Sequence, residues 1–185
     1  MKTRAELLEA LQALAPHDGR EAAMRDRIAR FVREHEECYS RDLLVGHVTG
    51  SAWIVDRARS RTLLTHHAKL NKWLQPGGHA DGDSDILRVA RREMLEETGQ
   101  EGRVLLGGAI FDVDAHEIPE RKGVPAHVHY DIRFAFEADP EAPLLVSEES
   151  HELCWIPLDE VARHNTDESV LRMVEKTKQG ALPAE

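Results

Sequence analysis

The sequence predicts an α+β fold in which a mixed sheet is flanked by helices, and three observations carry that expectation. Residues 1–44 are helical in pattern and contain no strand signal. From Val45 onward, β-branched and apolar runs alternate irregularly with helical stretches, without the strict strand–helix alternation of a parallel α/β sheet. One helix between strands is sharply bounded, by a Gly-Gly turn before it and a glycine after it.

The elements follow in order. In Thr3 to Ala15, Leu7, Leu8, Leu11 and Leu14 recur at helical spacing, and Pro16-His17-Asp18-Gly19 ends that run. Glu21 to Glu36 resumes it with Met24, Ile28 and Phe31-Val32. This pair is expected to form a helical N-terminal extension over residues 1–44, packed on a domain that spans residues 45–185. Val48 to Val55 and Arg61 to Thr65 read as a hairpin around the polar turn Asp56 to Ser60. Gln75-Pro76-Gly77-Gly78 breaks the chain, and Asp85 to Thr98 forms a helix ending at Gly99. Val104 to Val113 and Val128 to Phe136 are predicted strands, separated by the loop Glu117 to Pro125. A last strand near Leu153 to Ile156 leads to a closing helix, Glu168 to Lys178.

Composition narrows the function. The 185 residues include 24 Lys+Arg and 34 Asp+Glu, a formal net charge of −10, with 41% hydrophobic and 31% charged residues. That balance suits one globular core and argues against passive binding to nucleic-acid phosphates, which needs a basic patch. The sequence contains no apolar run long enough to span a bilayer and no secretory leader at Met1 to Ala15, so neither membrane nor nucleic acid is an expected partner. Two cysteines, Cys38 and Cys154, fit a reducing cytoplasm and exclude a Cys-based zinc finger.

The chemistry is concentrated in Arg92-Glu93-Met94-Leu95-Glu96-Glu97-Thr98-Gly99. On a helix, residues 93, 96 and 97 fall at roughly 0°, 300° and 40°, an arc of about 100°. Crowded carboxylates near a helix C-terminus oppose both one another and the helix dipole. The cluster alone reads equally as a solvated helix face. With the Gly77-Gly78 turn, which lets a backbone carbonyl approach closely, it reads as a hard-oxygen site for a divalent ion, Mg2+ or Mn2+.

Gly78 to Gln100 resembles the signature of the Nudix hydrolases, G-x5-E-x7-R-E-U-x-E-E-x-G-U, where U is a bulky aliphatic residue. Gly78, Arg92, Glu93, Met94, Glu96, Glu97 and Gly99 fall on its positions, while Ser84 and Gln100 depart from it. The resemblance implies a Nudix-type α/β/α sandwich and hydrolysis of a diphosphate linkage in a nucleoside diphosphate joined to another group, with Mg2+ or Mn2+ as cofactor. It further implies that Gly78, Glu93, Glu96 and Glu97 hold metal, that Arg92 orients the glutamates, and that Glu93 or Glu96 is the general base. A further acid is expected from the loop before the last strand, with Glu149 the first choice and Glu148 and Glu152 beside it. The alternatives are a prenyl-diphosphate isomerase of the same fold and a non-catalytic nucleotide-sensing domain. A small nucleotide or diphosphate is the expected partner, with a homodimer as the expected assembly if one forms.

Eleven histidines add a second pattern. His127, His129 and Asp131 share one face of an extended segment, Asp112, Asp114 and His116 do so in the strand before it, and His79 follows the Gly-Gly turn. These sets read either as a wall that binds substrate or a Zn2+-, Mn2+- or Fe2+-type ion, or as a wet sheet face. If the two strands pair, both sets would share a face near the glutamate helix. Trp73 reads either as core or as a ring bordering the pocket.

Overall fold

The computed structural model of the chain describes residues 2–121, 123–147 and 150–183. Helix α1 (Arg4–Ala13) starts at Thr3, whose hydroxyl accepts the Glu6 N–H, and α2 (Gly19–Glu34) starts at Asp18, whose carboxylate accepts the Glu21 N–H. Leu7 and Leu11 of α1 and Ile28, Phe31 and Val32 of α2 are buried, as the helical spacing predicts.

The remaining elements build one sheet and two more helices. Strands β1 (Gly46–Val55) and β2 (Arg61–His67) form the expected hairpin. Asp56 shapes its turn, because one carboxylate accepts the Ser60 and Arg61 N–H groups and the Ser60 hydroxyl. Two short strands absent from the sequence reading follow, β3 (Lys72–Leu74) and β4 (Gly77–His79). Helix α3 (Ile86–Thr98) ends at Gly99, whose φ of 71° is the left-handed turn that ends a helix. The expected strand Val104 to Val113 is in fact broken. Strand β5 (Arg103–Val104) stops, Leu106, Gly107 and Gly108 adopt φ of 51°, 60° and 82° through a 3-10 turn, and β6 (Asp112–Ile118) begins beyond it. The Gly-Gly pair permits this reversal, and the apolar run hid it. Strands β7 (His127–Glu137) and β8 (Ser150–Pro157) precede α4 (Glu168–Lys178).

β1 is the hub. It runs parallel to β7 from Gly46↔Val128 to Val55↔Glu137, while its other edge pairs first with β4 and then with β2, both antiparallel. β6 and β5 pair with β7, and β8 pairs with β2. The sheet is therefore mixed, as predicted.

Each face of the sheet has its own core. Val48, Ala52 and Ile54 of β1 pack with Ile86, Val89, Ala90 and Met94 of α3 and with the apolar residues of α1 and α2. A Cβ at Gly50 would lie 3.0 Å from the Ile86 side chain and carbonyl, so this glycine sets how closely α3 approaches β1. Trp53 and Val55 point the other way, onto Val170, Met173 and Val174 of α4, and the Trp53 indole donates to Thr177 Oγ1 at 3.0 Å. The result is the α/β/α arrangement. No helix among the described residues is long and apolar enough to cross a membrane.

Candidate active site

Helix α3 meets β4 through its carboxylates. Glu97 is buried at 9% exposure and its Oε1 accepts the Gly77 N–H at 2.7 Å. One turn earlier, the Glu93 carboxylate fills the space a side chain at residue 78 would need: a Cβ at Gly78 would stand 2.6 Å from Glu93 Cδ. Arg92 ties the pieces together. Its Nη2 donates to Glu93 Oε1 at 2.6 Å and to the His79 carbonyl at 2.8 Å, and its Nε lies 3.9 Å from Glu96 Oε2. The hydrogen bond to Glu93 holds the Arg92 guanidinium above its ordinary pKa, so it stays a cation. Glu96 extends outward and is largely exposed.

The two residues that depart from the signature have local partners. The Ser84 hydroxyl donates to the Lys2 carbonyl, while Asp83 beside it pairs with Arg88 and accepts the Asp85 N–H. Gln100 is buried and its amide donates to the Pro143 carbonyl at 2.9 Å, fixing the segment after the helix.

The residues fit a hard divalent cation in donor type, since Gly78 has no Cβ to obstruct the Glu93 carboxylate and Glu97 lies against the same backbone. The three glutamates do not, however, bring their oxygens together into a compact ligand group. Among the described residues that description belongs to His47, His127 and His129, whose ligand nitrogens all lie within 4.8 Å of one another.

The histidines occupy the other face. The register pairs Asp114 with Asp131 and His116 with His129, so the two polar sets do share a face. It is the face away from the apolar contacts of α3, since Val48, Gly50 and Ala52 alternate toward the helix, leaving His47, Thr49 and Ser51 on the opposite side, although Arg92 of α3 reaches the His79 carbonyl. His47 was not foreseen. It opposes His129 in the parallel register and its ring lies 5.0, 5.1 and 4.8 Å from those of His79, His127 and His129. Burial and the neighbouring imidazoles push His47 down to about 4 and His129 down to about 2.

Asp131 and Trp73 have partners inside the protein. Asp131 is buried at 2% exposure, and its carboxylate accepts from Thr49 and Ser51 hydroxyls at 2.9 and 2.7 Å, from Arg133 Nε at 2.7 Å and from Gln75 at 3.3 Å. It belongs to an internal network continued by Arg133, Asp112, Arg172 and Lys176, whose cations the sequence reading did not single out. Trp73 is half-buried, stacked at 5.0 Å on His66 and edge-on to His164. Glu148 and Glu149 lie outside the described residues, while Glu152 is exposed on β8 opposite His66.

Residues 47–176 match the family model described as NUDIX domain. The chain belongs to this family. Among solved structures, it is similar to a hydrolase of the NUDIX family from Clostridium perfringens, with a TM-score of 0.54, 22% identity, and 72% of this chain and 97% of that one covered. It is also similar to a C. elegans Ap4A hydrolase in a binary complex, with a TM-score of 0.58, 16% identity and coverage of 72% and 96%. At these identities the structures bear on the fold alone, and both agree with the sandwich described above. A Danio rerio protein named m7GpppN-mRNA hydrolase NUDT17 is 38% identical over 65 residues, 32% of this chain and 22% of that one, so the NUDIX chain spans about a fifth of that relative.

Proposed function

We propose that this NUDIX protein is a hydrolase that cleaves a diphosphate linkage in a nucleoside diphosphate joined to another group, using Mg2+ or Mn2+. The observation that carries this is the seating of Glu93 against Gly78, with Glu97 bonded to Gly77: two carboxylates of one helix converge on one stretch of backbone. The Gly78 backbone, Glu93, Glu96 and Glu97 would hold the cation, with Glu149 as an added ligand. When bound, it would neutralise phosphate oxygens and acidify the attacking water. Glu93 or Glu96 accepts the proton that water loses as its oxygen bonds to phosphorus and the bridging P–O bond breaks. Arg92 keeps both glutamates oriented by holding the helix to the His79 carbonyl. In this reading residues 45–185 form the catalytic domain, and residues 1–44 pack on it.

The cysteines support hydrolysis over isomerisation. Burial pushes the Cys38 thiol up to about 11, and burial with the Glu152 charge raises that of Cys154, so neither is an activated thiol. Of the relatives, one is named an Ap4A hydrolase and one an m7GpppN-mRNA hydrolase, and a further neighbour is a NUDIX domain from Shewanella oneidensis complexed with ADP ribose. The test is release of nucleotide products from Ap4A, m7GpppG, ADP-ribose and nucleoside triphosphates with Mg2+ or Mn2+. Turnover of at least one substrate, lost in Glu93→Gln, is expected. Undiminished turnover in that variant, or ligand binding without turnover across the panel, overturns the reading.

A further inference from the structure

We propose that His47, His127 and His129 form a second metal site, on the sheet face opposite the glutamates, that takes a divalent d-block ion of the Zn2+ type. The site spans the parallel pair β1–β7, with His47 on one strand and the other two on its neighbour.

The pair on β7 stands at a separation that two ligands of one ion can share, and without an ion the same contact is a hydrogen bond between the rings. His127 Nδ1 stands 2.9 Å from the Pro125 carbonyl. A carbonyl only accepts, so Nδ1 carries the proton and the neutral ring presents its lone pair at Nε2. That Nε2 lies 3.2 Å from His129 Nε2. Two imidazole nitrogens bound to one tetrahedral Zn2+ at about 2.0–2.1 Å are separated by roughly 3.3 Å. The Nδ1–H to backbone carbonyl bond is also the support that metal-bound histidines ordinarily have, since it fixes both tautomer and ring orientation.

His47 supplies an independent observation. It is 4% exposed, yet among the described residues neither ring nitrogen has a hydrogen-bond partner, although the Leu43 backbone favours the charged ring. Buried polar atoms without partners are costly and rare in folded proteins. The partner atoms these nitrogens lack are not supplied by the strand beside them, which offers two more imidazoles. A cation among the three rings would give one of the two His47 nitrogens the partner it lacks, with one ligand bond from each ring.

The chemistry selects the ion. Three neutral nitrogens and no carboxylate suit Zn2+ and its imidazole-binding neighbours rather than Mg2+. His127 and His129 are half-buried, so the site opens to solvent at this end of the strands, and three protein ligands leave a fourth tetrahedral position free. The rings of His79 and His116 lie 5.0 and 5.6 Å from that of His129, and His116 Nδ1 is 3.6 Å from the Asp114 carboxylate.

The test uses the full chain, free of any tag and stripped of metal, titrated with Co2+ and then with Zn2+. One equivalent of Co2+ with the visible absorption of a tetrahedral site, displaced by Zn2+, is expected. The double variant Glu93→Gln, Glu97→Gln should give the same spectrum, which separates this site from the carboxylate site and from the fate of the hydrolase reading. His127→Ala, at a half-buried position, should weaken Zn2+ binding by ~100-fold or more, and His47→Gln should do likewise if it folds. Absence of the tetrahedral spectrum in the unmodified chain overturns the proposal. So does a spectrum unchanged by His127→Ala, or one abolished by the glutamate variant.

Discussion

Glu97 Oε1 accepts the Gly77 N–H at 2.7 Å, so the last turn of α3 is bonded to the backbone of β4 by a carboxylate with little exposure to solvent. A negative group near a helix C-terminus is disfavoured by the dipole, and this one is retained where its oxygen meets a backbone donor from another strand. Its charge and its hydrogen bond have separable consequences.

Glu97→Gln keeps an acceptor oxygen for Gly77 and removes only the charge. The variant should melt within a few degrees of the unmodified protein, while hydrolysis in Mg2+ or Mn2+ falls by ~100-fold or more. Glu97→Ala removes the bond too and should additionally cost about 1.5–3 kcal/mol, as for a hydrogen bond to a charged group. Urea denaturation of both, beside product release, distinguishes the two roles. Equal activity in Glu97→Gln would leave the carboxylate with a structural role alone.

Two glycines make opposite predictions. At Gly78 the added Cβ meets the end of the Glu93 side chain, which swings aside easily. Gly78→Ala should therefore fold nearly normally and lose turnover, because Glu93 is displaced. At Gly50 the added Cβ meets Ile86 and its carbonyl at 3.0 Å, inside the packed interface of α3 with β1. Gly50→Ala should lower stability by about 1–3 kcal/mol, the usual range for overpacking. Melting temperature and turnover measured on both should show the two effects on different variants.

The helix and its ends were legible because Gly77-Gly78, Gly99 and the carboxylate spacing are local signals, each a property of a few consecutive residues. The same was true of the alternation of His127, His129 and Asp131, which β7 follows residue by residue. What alternation could not reveal was which face those residues would turn toward α3. That depends on Gly50, whose lack of a side chain admits the helix on one side of β1 only. His47 escaped notice for a related reason: its significance comes from the parallel register with His129, a pairing between strands separated in the chain by five other strands and helix α3. Asp131 carried no sign of its fate, since Thr49 and Ser51 of β1, Arg133 of its own strand and Gln75 of the loop between β3 and β4 converge on it.

Acid should destabilise the metal-free protein in a defined window. His47 titrates at about 4 and His129 at about 2 in the folded chain, against an ordinary value of 6.5, because burial and the rings of His79, His116 and His127 oppose their charging. The unfolded chain binds these protons first. Their contribution is therefore fully present above pH 6.5 and is lost as the pH falls from there, toward 4 for His47 and on toward 2 for His129. Urea midpoints in the presence of chelator should drop across that interval, and His47→Gln should flatten the slope. A slope of the same size in the variant would mean that other groups control acid unfolding.

Glu21 makes the N-terminal helices part of the same electrostatic structure. It is fully buried on α2, and its carboxylate accepts from Lys176 of α4 at 2.7 Å, a lysine that also donates to the Phe111 carbonyl and lies 3.3 Å from Asp112. Asp112 in turn accepts from Arg172 at 2.7 and 2.9 Å and from Arg133 at 3.2 Å. Removing one member of such a network leaves the remaining charges buried without compensation, which costs about 3–5 kcal/mol. Asp112→Ala should approach that figure, since three cations lose a partner at once. Glu21→Ala should cost less, because Lys176 retains Phe111 and Asp112. A chain starting at Val45 loses Glu21 together with Leu7, Ile28 and Phe31, all buried against the sheet. It should unfold at a much lower urea concentration than Glu21→Ala, and a truncated chain as stable as the point variant would show that the α1–α2 pair is dispensable to the core.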